Sequence, residues 1–222
     1  LIAKETIILL QKEFSLEWKN RHIFQSLLLY LGSTIFIMYY SFLGKSSSLN
    51  PFVWLSVYWL LLTFTTFNAV AKAFLGETPG RVLFYGTLVS AEALILSKLI
   101  YHMGLSVLVS LVSWVLFGIV FDSPVQDMAL FLLIQVLAVA GFAAVITMSA
   151  GIAYKAGGNF SLSAILSFPI LIPLIIMAVK ASRAALDGLD RSVSWDEILL
   201  LFALNVITVS VSYLLFPYLW KA

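Results

Sequence analysis

Six runs of mostly apolar residues follow one another along the chain: roughly His22 to Leu43, Phe52 to Ala71, Ala93 to Phe121, Met128 to Ala153, Ser161 to Val179 and Ile198 to Leu219. A helix needs about 20 such residues to cross the hydrocarbon core of a bilayer, and each run meets that need. Polar positions collect between the runs and seldom interrupt them. The pattern predicts an all-α integral membrane protein with six transmembrane helices, and the short connections leave residues 1–222 as a single domain.

Two stretches outside the runs have patterns of their own. In residues 1–21, Ile7, Ile8, Leu10, Phe14, Leu16 and Trp18 are interspersed with Lys4, Glu5, Lys12, Glu13, Glu17 and Lys19. That mixture predicts an amphipathic helix on the cytoplasmic membrane surface; the plainer alternative is a solvated helix leading into the first span. The same residues lack the basic, apolar, small-residue order of a cleaved signal, so they are expected to remain on the mature protein. The second stretch, residues 72–92, contains Gly76, Pro79 and Gly80, which break the helix after the second span. Residues 81–89 could then form a short amphipathic element that docks on a cytoplasmic partner. A plain water-facing loop fits the same pattern.

Composition removes several function classes. Charged residues are 11% of the chain and apolar ones 62%, with a mean hydropathy of +1.04, so no charged skin is available to cover a soluble core. A net charge of +2 without a basic patch argues against a nucleic-acid partner. The chain contains no cysteine and so can perform no thiol chemistry of its own. Placing the N-terminus inside puts Lys4, Lys12, Lys19, Arg21, Lys72, Arg81, Lys98, Lys155 and Lys221 on that side, against Lys45, Lys180, Arg183 and Arg191 outside. Nine against four favours both termini in the cytoplasm. The outside connections are then 44–51, 122–127 and the longer Lys180 to Glu197. Trp18, Tyr218 and Trp220 suit the aromatic belt of the inner interface.

Asp, Glu, Lys and Arg are missing from the span cores, the nearest ionisable groups being Glu92, Lys98 and His102 at the start of the third span. Ion-driven carriers need such groups within the membrane as relays, so ion coupling is not expected. A phosphate-binding G-x-x-x-x-G-K-[ST] loop is also missing, so any active transport must take its energy from another protein. An intramembrane enzyme would need converging acid, base or metal-binding groups, and His22 and His102 stand far apart. An interfacial place for His22 and a pathway-lining or helix-lining place for Lys98 and His102 are the expected readings. Pro169 and Pro173 predict a kink in the fifth span, either a hinge or, preferred here, a fixed bend. Thr63, Thr65, Thr66, Asn68 and Gln135 could hydrogen-bond between helices, Ala140, Gly141 and Ala144 allow close approach, and all of these read as packing.

The run from Phe74 to Lys98, with Glu77, Gly80, Arg81, Leu88, Ser90 and Lys98 in order, resembles the E-x-x-G … L-x-x-S-P … K signature of ABC-2-type permeases. Over essentially its full length the chain resembles the haem exporter protein B family, the permease subunits of cytochrome c maturation ABC systems. Lys12 to Lys19, Leu88 to Ser90, Leu96 to Lys98, Ser167 to Pro169 with Ile172 and Pro173, Leu186 to Asp190 and Tyr213 to Trp220 carry that resemblance. Ala91 departs from the broader pattern, which has proline there. The resemblance implies a bacterial inner-membrane subunit whose 72–92 segment receives the stroke of a separate cytoplasmic ATPase, with Glu77, Gly80, Arg81 and Tyr85 at the contact. It implies haem as cargo of the complex, no cofactor bound by the chain itself, and ATP used through the partner. The implied partners are that ATPase, a haem-handling membrane protein, a periplasmic haem chaperone, lipid, and a second membrane half that is either another copy or another subunit. The alternatives are an ABC-2 exporter of lipid, polysaccharide or drug, and a scaffold of the maturation complex that transports nothing.

Overall fold

The structure, a computed structural model, describes residues 2–19, 21–42, 50–71, 73–74, 88–157 and 160–221, without the side chains of 17–24 and 221. Helices occupy nearly all of them: α1 (Ile2–Lys19), α2 (Arg21–Phe42), α3 (Pro51–Val70), α4 (Ala91–Val120), α5 (Met128–Lys155), α6 (Phe160–Asp187) and α7 (Trp195–Lys221), with a short 3-10 turn, Arg191–Ser194, leading into α7. Among the described residues there is no strand.

Local chemistry fixes the helix ends. The Asn50 side chain accepts from the Phe52 nitrogen, and Pro51 then opens α3 with a φ already suited to a first turn. Ser90 caps α4 by accepting from Ala93 N, and Asp127 caps α5 by accepting from Leu130 N. Gly188 ends α6 with φ +63°, and the Leu189 nitrogen closes back on the Ala184 carbonyl at 3.0 Å. That left-handed turn carries a steric penalty for any residue with a Cβ.

Helices α3 to α7 are each long and apolar enough to cross a membrane. The segment expected as the first span is helical as α2 over 22 residues, but Gln25, Ser26, Tyr30, Ser33, Thr34, Tyr39, Tyr40 and Ser41 dilute its apolar content. Large apolar side chains point outward along these helices, Leu29 and Ile119 at 75% exposure among them. Water would make such a surface aggregate, whereas lipid is its natural solvent. The core lies between α3, α4, α5 and α6. Trp54 stacks on Tyr58 at 5.1 Å between ring centres, and Phe117 and Phe131 close around the pair.

The structure corrects two expectations. The Lys180 to Glu197 connection is mostly helical: α6 runs on to Asp187, and only residues 188–190 and the 3-10 turn precede α7. Its alanines are good helix formers, and Ala181, Ser182, Ala184 and Ala185 are buried there. The hydroxyls of Thr63 and Thr65 and the amide of Asn68 do not bridge helices; they bond the carbonyls of Trp59, Leu61 and Phe64 on their own helix. A carbonyl one turn back is always within reach of these short side chains. Gln135 does bridge helices, and Gly141 does provide a close approach, with Asn205 of α7 packed 3.1 Å from where its Cβ would stand. α6 continues through Pro169 and Pro173 without a break in the helix.

Candidate functional site

At one end of the bundle three elements converge where α3 has just finished and α4 begins. Lys98, two turns into α4, is almost wholly buried. Its ammonium stands 3.2 Å from Glu13 Oε1 of α1, donates to the Ala73 carbonyl at 2.9 Å, and lies 4.9 Å from the centre of the Phe74 ring. A buried ammonium is tolerated only when paired and hydrogen-bonded, so Lys98 holds α1, α4 and the chain leaving α3 in one joint. Phe74 itself packs on Phe216 at 5.6 Å, bringing α7 into the same place.

A second contact lies two turns away. Glu5 Oε2 accepts from the Ser90 nitrogen at 3.0 Å and from its hydroxyl at 2.8 Å. The Ser90 backbone N–H, then its hydroxyl, hold the Glu5 carboxyl below the usual glutamate range, against an opposing effect of burial. Both contacts join residues 85 apart in sequence. An equal offset over eight residues means that α1 runs alongside the start of α4, in the same direction and in register. Thr6 and Leu9 are buried on that side of α1, while Ile7, Ile8, Phe14 and Leu16 face outward.

The expected coupling residues Glu77, Gly80, Arg81 and Tyr85 lie outside the described residues, as does the side chain of His22. What the structure gives is the frame of that segment: its entry at Ala73 is held by Lys98, and its exit at Ser90 is held by Glu5. Lys98 belongs to this joint, and His102 sits one turn further along α4, also buried. Pro169 and Pro173 are on α6. In the sequence Glu5 and Glu13 read as polar positions of an amphipathic helix, Glu13 also lying in the Lys12 to Lys19 segment of the resemblance. A signal for their partners existed, since Glu5 and Glu13 repeat the spacing of Ser90 and Lys98.

Deeper in the bundle the Tyr58 hydroxyl donates to Gln135 Oε1 at 2.8 Å, and Gln135 Nε2 reaches Ser110 Oγ at 3.2 Å, tying α3, α5 and α4. Trp59 Nε1 donates to Ser182 Oγ of α6 at 3.2 Å. At the far end Arg191 grips both carboxylate oxygens of Asp127, at 2.7 and 3.1 Å. Asp127 is held below its ordinary range chiefly by that hydrogen bond and then by the Leu130 N–H, and Arg191 is raised by the same partner. The Ala185 carbonyl accepts from both Gln126 N and Asp127 N, so this end is latched where the opposite end is jointed.

A family model described as CcmB protein matches residues 4–218. No curated protein matches the chain.

Proposed function

Starting from the fact that the chain belongs to the CcmB protein family, and is thus a multi-pass membrane permease component of c-type cytochrome biogenesis, we propose that it couples a separate ATPase to haem delivery. It sits in the bacterial inner membrane with six spans, α2 being the first, and with both termini in the cytoplasm. The ATPase docks on the segment between α3 and α4, with Glu77, Gly80, Arg81 and Tyr85 at the contact. Its stroke either exports haem or remodels the complex so that the haem-loaded periplasmic chaperone is released. The chain binds no cofactor of its own; haem is cargo, and ATP is consumed by the partner.

The observation that carries this reading is the double anchorage of the segment. A loop that merely met water would need no fixed ends. Here the entry is bound to α4 through Lys98 and the exit, where α4 starts, is bound to α1 through Glu5, so that a stroke on the segment between them would load α4 and α1 directly. Salt-sensitive docking on the charged pair Glu77 and Arg81 suits a contact that forms and breaks in each cycle.

The test is purification from native membranes in mild detergent, with identification of what accompanies the chain and ATPase assays of wild type and the Glu77→Ala/Arg81→Ala variant. Co-purification of an ATPase and of haem-handling proteins, with loss of partner or turnover in the variant, is the expected result. Absence of any ATPase under gentle conditions sinks the coupling reading. A bound ATPase without a haem chaperone points instead to an exporter of another cargo.

A further inference from the structure

Along one face of α4 run Lys98, His102, Ser106, Ser110 and Ser113, every one of them buried. Fifteen residues at about 1.5 Å each make this a polar stripe of roughly 22 Å inside a hydrocarbon core of about 30 Å. Both ends of the stripe are satisfied within the protein. Lys98 has Glu13 and the Ala73 carbonyl; Ser110 has Gln135 and its own helix, and Ser113 has the Val109 carbonyl. The middle is different. Both ring nitrogens of His102 and the hydroxyl of Ser106, one turn on, are buried without a hydrogen-bond partner among the described residues.

Ser97, Ser167, Ser182 and Ser212 solve the problem by bonding a carbonyl of their own turn, whereas Ser163 of α6 does not. Ser106 does not take that route. Histidine has no such route, because a neutral imidazole needs a donor for one nitrogen and an acceptor for the other. Two adjacent buried groups that lack partners, between two that have them, are what a small guest with several hydrogen bonds would satisfy. Tyr101 covers the His102 ring edge-on at 5.2 Å.

We propose that His102 and Ser106 form a binding site for internal water. A water beside one ring nitrogen of His102 can donate to it, or accept from it where the tautomer puts the N–H there, and bond the Ser106 hydroxyl at the same time. It joins the charged joint at Lys98 to the Ser110–Gln135–Tyr58 bridge, so that a hydrated polar file runs along α4 from the Glu13 end to the aromatic cluster. The Glu13 end is the less enclosed one, since Glu13 retains 13% side-chain exposure while Trp54, Tyr58, Phe117 and Phe131 pack together at the other end. The site needs no ATPase and no cargo, and stands apart from the coupling function.

X-ray hydroxyl-radical footprinting in lipid nanodiscs, with ¹⁸O water as the label, tests it on the intact chain. Radicals born from a bound water modify the side chain it touches, so His102 should take up label several-fold above Phe142 after correction for intrinsic reactivity. That ring is fully buried, packs on Trp59 and is not among the four packed at the far end of the file. His102 labelling no higher than that of Phe142 overturns the proposal. Ser106→Ala, a small change that leaves the reporter in place, should at least halve the His102 signal. An unchanged signal in that variant overturns the paired site.

Discussion

Glu5 and Ser90 meet through two hydrogen bonds, and Glu13 and Lys98 meet at the same separation in sequence, so α1 is fastened to α4 at two points two turns apart. The Glu5 contact depends on pH with a definite sign. Its carboxyl is depressed in the folded protein, so its contribution is fully present above the ordinary glutamate value of 4.5 and is lost as the pH falls through the lower folded value. Amide protection of residues 2–13, taken relative to the intrinsic exchange rate at each pH, should therefore fall on acidification below about pH 4.5, while α5 stays protected. Glu5→Gln should show the lower protection already at pH 7.

Removing one partner of the buried pair should cost more than removing both. Glu13→Gln removes the counter-charge and leaves the buried Lys98 ammonium among neutral groups, the Ala73 carbonyl and the Phe74 ring among them, and a loss of about 2–4 kcal/mol is expected. Lys98→Met with Glu13→Gln should recover part of that loss, by roughly 1 kcal/mol or more. Thermal melts of the two single variants and the double variant in detergent give the coupling. Strict additivity would mean that the joint is not an energetic unit.

The Tyr58–Gln135–Ser110 bridge predicts an asymmetry of another kind. Tyr58→Phe removes one hydroxyl but strands Gln135 Oε1 in the core, with an expected cost of about 1–2 kcal/mol. Gln135→Leu is close in volume and strands the Tyr58 hydroxyl, while Ser110 keeps its bond to the Val107 carbonyl, so a similar cost is expected. Combining Tyr58→Phe with Gln135→Leu should cost less than the sum of the two, because the second change removes the group that the first left unpaired.

At the latched end, Gly188→Ala is expected to destabilise by about 1–2 kcal/mol, since an L side chain at φ +63° is strained and its Cβ would crowd the Gln126 side chain. Gly188→Asn should cost less, asparagine tolerating that conformation better. Melting temperatures of the two variants rank them directly, and equal losses would assign the effect to the Gln126 contact instead of the backbone.

Most of the helices were legible in the sequence because lipid allows no subtlety: a run that crosses must be apolar throughout, and the starts of α4 and α5 fall within two residues of the expected runs. The end of α6 was not legible. Lys180, Arg183 and Asp187 look like loop residues to a hydropathy scan, yet they sit on a helix whose other face buries Ala181, Ala184 and Ala185. Long-range pairing was legible least. Gln135 announced a partner by being polar in an apolar run, but nothing local told Thr63 to turn to Trp59 on its own helix while Gln135 reached for Tyr58. The joint around Lys98 depends on α1 folding back beside a helix 85 residues away, and only the matched spacing of two pairs hinted at it.

Helix α4 begins at Ala91, is gripped at Lys98 and ends at Val120. A rigid rod held at that grip has seven residues on one side and twenty-two on the other. At a uniform rise per residue, that is a lever with an advantage of about three in travel. An ångström of tilt at Ser90 about that grip corresponds to about three at Phe121, and the long arm is where Ser110 is bonded to Gln135, so such a tilt has to strain that bond first.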